Sequence, residues 1–165
     1  VQHFVSTDPD GQIAEAIPGG FEIHETPNGQ VYLRKAKPAL IRPDDLALVN
    51  AELSKRQTRQ HCYLAEVTGK EILIYEGDTH IETLRAINIR FSKRGLEEYA
   101  ARNAQYTAVM RFILINKATR DFAPQRFCFR GSVDDWISIG GPAPLENLVS
   151  KFFKHLGSDS IYDLY

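Results

Sequence analysis

The chain has 165 residues, a formal net charge of −1 and 25% charged residues. That length suits a domain whose core needs no disulfide staples, and so even a balance argues against a strongly basic nucleic-acid binder. Cys62 and Cys128 make no metal-ligand or redox spacing, no apolar run approaches the length of a membrane span, and no secretory pattern is present, so a reducing, cytoplasmic setting is expected. The chain begins at Val1 and its one methionine is Met110. An upstream segment that carries part of the function is therefore expected.

Residues 1–20 read as an extended N-terminal arm, and residues 21–165 as a single α+β domain. Asp8-Pro9-Asp10-Gly11 resembles part of a calcium loop, but Ser6 and Ile17 stand where acidic ligands are needed, so it reads as a turn. Phe21 to Lys35 forms a hairpin around Pro27-Asn28-Gly29. A three-residue loop with Gly29 left-handed pairs Ile23 with Leu33. It gathers Phe21, Ile23, Val31 and Leu33 on one face, expected to be the core face, with Glu22, His24, Tyr32 and Arg34 opposite. Pro43-Asp44-Asp45 opens a helix whose buried side is Leu46, Val49 and Leu53, fading near Lys55. A second hairpin, His61 to Tyr75, turns at Gly69-Lys70 and puts Tyr63, Ala65, Val67, Ile72 and Ile74 together.

Residues 77–105 carry conflicting signals. Thr79 and Glu82 resemble a capping box, Ile87, Ile89 and Phe91 alternate as in a strand, and Ser92 can cap a helix to Asn103. Val109 to Ile115 reads as an interior strand, apolar on both faces apart from Arg111. Arg126 to Arg130 is its partner, with Phe127 and Phe129 on the core side and Arg126, Cys128 and Arg130 opposite. Pro124, which has no N–H, should face an open edge or a bulge. Ser132 with Asp135 suggests a short capped helix or turn that packs Trp136 on the sheet. Leu145, Leu148, Val149, Phe152, Phe153 and Leu156 follow one helical face, with Gly157 as the stop. A last helical turn docks Ile161, Tyr162 and Leu164. The expected fold is thus an antiparallel sheet built from about three β-hairpins, with two to three helices packed mainly on one face.

Chemistry is sparse. There is no phosphate-binding loop, zinc-protease pair or nucleophile elbow, so no cofactor and no metal are expected. Catalytic candidates are Asp134, Asp135, His155 and His24, each with a structural explanation at hand: capping, helix-dipole complementation or a solvated ladder. His61 and Cys62 are sequence neighbours and point to opposite faces of a strand. Ten Lys and Arg residues lie between Arg85 and Arg130 against Glu82, Glu97, Glu98 and Asp121. Arg111, Arg126 and Arg130 are therefore the binding candidates. Because Arg126 and Arg130 point away from Phe127 and Phe129, a nucleic-acid surface is not expected, nor is a membrane partner. The functional expectation is a non-catalytic module that binds a protein partner. The alternative is a hydrolase that draws on the Asp and His candidates, and the oligomeric state is left open.

Overall fold

Gly29 sits at φ 79°, and that backbone angle sets the first hairpin. The structure is a computed structural model that describes residues 16–87, 92–130 and 133–165. It divides into two compact units, Val1–Pro38 and Ala39–Tyr165. In the first, β1 (Phe21–Glu25) and β2 (Val31–Lys35) pair as Phe21↔Lys35, Ile23↔Leu33 and Glu25↔Val31. The Thr26 amide donates to the Gln30 carbonyl, leaving Pro27-Asn28-Gly29 as the three-residue loop. The register is the expected one, but the covered face is not. Phe21, Ile23 and Val31 are 39–46% exposed, while His24 is buried. On the polar face, the His24 and Tyr32 rings meet edge-on at 5.1 Å and Arg34 Nε donates to Glu22 Oε1. Of the four ladder residues only His24 is buried, and Tyr32 remains 46% exposed. Of the arm, residues 1–15 and the turn at Asp8-Pro9-Asp10-Gly11 lie outside the described residues.

The second unit is α+β. Helix α1 (Pro43–Ser54) starts with Asp45 accepting from the Arg42 amide, and it buries Val49 and Leu53. Strands β3 (His61–Thr68) and β4 (Glu71–Asp78) pair as Thr68↔Glu71, with Gly69 at φ 61° in the two-residue turn. Helices α2 (Ile81–Ile87) and α3 (Lys93–Arg102) follow, and Ile81, Leu96 and Ala100 form a small cluster of their own. Ser92 caps α3 by accepting from the Gly95 amide. Thr79 does not cap α2 as expected; its hydroxyl donates to the Arg59 and Gln60 carbonyls. Ile87 closes α2, and the strand suggested by Ile89 and Phe91 falls outside the described residues.

Strands β5 (Gln105–Asn116), β6 (Asp121–Arg130) and β7 (Val133–Ser138) complete an antiparallel sheet ordered β3-β4-β5-β6-β7, with β8 (Ala143–Pro144) beside β6. The Pro124 carbonyl accepts from the Ile139 amide. Its N position therefore faces the same side, into the break between β7 and β8, where no donor is needed. The expected capped turn at Asp135 is instead strand β7; Ser132 itself lies outside the described residues. A side-chain cap is worth about 1 kcal/mol. Pairing on β6 engages the backbone groups that face it along this edge strand and sets Trp136 opposite Phe127.

Helix α4 (Leu145–Phe152) tightens into a 3-10 turn at Phe153–His155 and stops at Gly157, φ 71°. Its Leu148, Val149, Phe152 and Phe153 join Val49 and Leu53 of α1 and Ile72, Ile74, Met110, Phe112, Leu114 and Phe122 of the sheet in one buried cluster. This assignment reverses the expected faces of β6. Phe122, Arg126 and Cys128 share the buried side, and Phe129 is 55% exposed. Burying an arginine is feasible here because its donors are satisfied: Arg126 Nε donates to the Leu164 carbonyl, Nη2 to Tyr162 and Nη1 to Phe127. Those bonds hold a 3-10 segment, Asp159–Asp163, against β6. Ile161 of that segment is buried, whereas Tyr162 is exposed rather than docked as expected.

Candidate functional site

Strands β5 and β6 pair from Asn116↔Asp121 to Met110↔Arg126. Beyond that point β5 stays with β4 as far as Asp78↔Gln105, and β6 stays with β7 as far as Arg130↔Val133. The sheet therefore forks. Val109, the extra residue where the β4–β5 register shifts, marks the start of the fork. A cleft of about 160 Å³ opens there, lined by His61, Glu76, Phe127, Phe129, Asp159 and Tyr162 together with Val109, Ile161 and the Gly157-Ser158 turn.

Register builds the polar end of the cleft. The Gly69-Lys70 turn sets Tyr63 opposite Glu76 on the buried side of the sheet. The Tyr63 hydroxyl bonds the Glu76 carboxylate; burial first, then the Glu76 charge, pushes that phenol above its usual range. Glu76 Oε2 accepts from the Gly157 amide at 3.1 Å. His61 Nδ1 lies 3.3 Å from Glu76 Oε1, yet it makes no hydrogen bond and is sealed from solvent. Glu76 is thus held from two sides, with its charge turned toward the cleft.

On the other face of the sheet, away from the buried cluster, some of the described side chains reach solvent. Leu64, 42% exposed, and Phe129 lie on it. The Phe127 ring meets Trp136 edge-on at 5.2 Å and Phe129 at 4.6 Å, and the Arg111 guanidinium stacks 4.5 Å over Trp136. Arg111 Nε also donates to Gln125, and Glu71 is 3.5 Å away. At one end of this face Cys62 Sγ contacts the Tyr106 hydroxyl at 3.3 Å. Burial and then that contact push the phenol up to about 12.

The residues singled out from sequence do not converge. Asp134 and Asp135 are neighbours on β7, so their side chains leave opposite faces, and Asp135 Oδ1 accepts from the Trp136 amide. His155 Nδ1 lies 2.8 Å from Ser160 Oγ, which is itself 3.0 Å from Ser158 Oγ. His24 belongs to the first hairpin. Arg126 is the buried clamp described above, Arg111 is on the face away from the buried cluster, and the Arg130 side chain lies outside the described residues. His61, Glu76 and Trp136 were not singled out as site residues. For Glu76 a signal existed, since the register implied by Gly69-Lys70 already places it opposite Tyr63. Among the described residues no cluster of His, Cys, Asp and Glu could hold a metal ion, and no helix is long and apolar enough to cross a membrane. No protein-family model, curated protein or solved structure matches the chain.

Proposed function

We propose that the chain is a non-catalytic binding module whose sheet face away from the buried cluster docks an apolar-rich segment of a protein partner. The observation that carries this reading is the aromatic cluster of Phe127, Phe129 and Trp136, with Arg111 stacked on it and Phe129 more than half exposed. Aromatic and arginine side chains dominate the energetics of protein interfaces, and a contiguous exposed apolar surface marks an interaction site. A hydrolase built from Asp134, Asp135, His155 and His24 would need those side chains in one cleft, and the two aspartates diverge. Arg111 is the sole described cation in the aromatic cluster and is already shared with Gln125 and Glu71, which favours a protein over a phosphate-rich partner.

Trp136 is the only tryptophan, so its emission reports on this face directly. Peptides selected from a random library on the intact chain should shift Trp136 emission and should lose binding to the Phe129→Asp variant. Peptides that bind both proteins equally and leave the emission unchanged would refute the reading. Micromolar affinity for an oligonucleotide, weakening with added salt, would put nucleic acid in the partner's place.

A further inference from the structure

We infer that the cleft at the sheet fork is a subsite for an alkylammonium group, the end of a lysine side chain carried by the docked partner. The inference rests on the docking role proposed above and adds the chemistry of one anchor. The carboxylates of Glu76 and Asp159 line the cleft with His61, and among the described residues neither lysine nor arginine lines it. Glu76 cannot turn away, because the Tyr63 hydroxyl and the Gly157 amide hold it. His61 Nδ1 approaches Glu76 Oε1 to 3.3 Å without making a hydrogen bond to it. Phe127, Phe129 and Tyr162 supply the remaining walls, and aromatic faces beside carboxylates attract a cation that has shed part of its water. At about 160 Å³ the cleft is smaller than the roughly 300–1,000 Å³ of drug-sized ligand sites. It admits the end of one side chain. Phe127 and Phe129 belong both to the cleft and to the face away from the buried cluster, so a segment lying on that face can place a side chain in the fork.

The test uses the whole chain and two probes of matched shape, n-butylammonium chloride and n-butanol, followed by amide NMR shifts. The ammonium probe should give saturable shifts at Gly157, Ser158 and Glu76, with a dissociation constant on the order of 1–10 mM. Glu76→Gln and Asp159→Asn should each weaken it roughly tenfold, within the range of desolvated cation–π and ion-pair contacts. The alcohol should not saturate. Equal binding of the alcohol, or no saturable shift from the ammonium salt, would overturn the inference. In the peptide selection, replacing lysine by norleucine should weaken binding to the intact chain and not to Glu76→Gln. If peptides move Trp136 emission while the ammonium probe fails, the cleft inference alone falls. If the probe binds and no peptide does, the docking role falls and the subsite stands as a site for free amines.

Discussion

Replacing Gly157 by alanine brings two separate strains to one carbon atom. At φ 71° the residue lies in the left-handed region, where a Cβ costs about 1 kcal/mol or slightly more. That Cβ would also stand 2.6 Å from the Tyr63 hydroxyl oxygen, well inside the roughly 3.5 Å of a relaxed contact. Tyr63 is 5% exposed and its hydroxyl is bonded to Glu76, so the ring cannot retreat without giving up that bond. Overpacking of this kind costs about 1–3 kcal/mol. Gly157→Ala should therefore lower stability by about 2–4 kcal/mol. In a Tyr63→Phe background the obstructing oxygen is gone, and the same substitution should cost only about 1 kcal/mol. Tyr63→Phe alone should cost about 1 kcal/mol for the lost hydrogen bond. Urea unfolding of the four proteins, followed by Trp136 emission and extrapolated linearly, gives the coupling. An equal cost of Gly157→Ala in both backgrounds would refute the steric argument and with it the packing of the turn on Tyr63.

Phe152→Ala should cost about 3–5 kcal/mol in a reversible denaturant titration, because Phe152 is 1% exposed in the main cluster; a loss below about 1 kcal/mol would mean that α4 does not dock as described. Arg126→Met should cost about 2–4 kcal/mol by removing the donors to Tyr162 and Leu164, and hydrogen exchange of residues 159–164 should accelerate, whereas unchanged exchange would contradict the clamp. Tyr106 has a folded-state pKa above the ordinary value near 10, so the unfolded chain loses its phenolic proton first. Stability should be full below that pH and fall as pH rises toward about 12; Tyr106→Phe should flatten the decline in urea midpoints, and an unchanged slope would count against the raised phenol.

Local chemistry made the turns legible. Gly29, Gly69 and Gly157 all take positive φ where the spacing of strands and helix required it, and two hairpin registers followed from two loops. Which side of a strand is covered was harder to read. Phe127 and Phe129 share a face, as alternation demands, but hydrophobicity does not say whether that face meets a helix. Arg126 could be buried only because carbonyls 36 and 38 residues away accept its protons, a partnership invisible in its neighbours. Asp135 beside Ser132 carried a local helix signal, and long-range pairing with β6 outweighed it. For the same reason the cleft was half legible. The Tyr63–Glu76 pair lies within one hairpin, while Gly157 and Asp159 arrive from the far side of α4.

Single polar bonds tie segments of the second unit that are distant along the chain. Arg56 Nε reaches the Phe153 carbonyl across 97 residues, the Gly157 amide reaches Glu76 across 81, and Arg120 reaches the Leu40 carbonyl and Asp45 across 80 and 75. In equilibrium terms such long closures cost little more than short ones, since each doubling of a loop adds only about 0.6 kcal/mol. Their weight falls on kinetics instead. Chains dominated by contacts of large sequence separation fold slowly, and none of these bonds can form until the sheet has brought its ends together. The α1 docking and the fork should thus be late events in folding, formed after the β3–β4 hairpin, whose two-residue turn needs no distant partner.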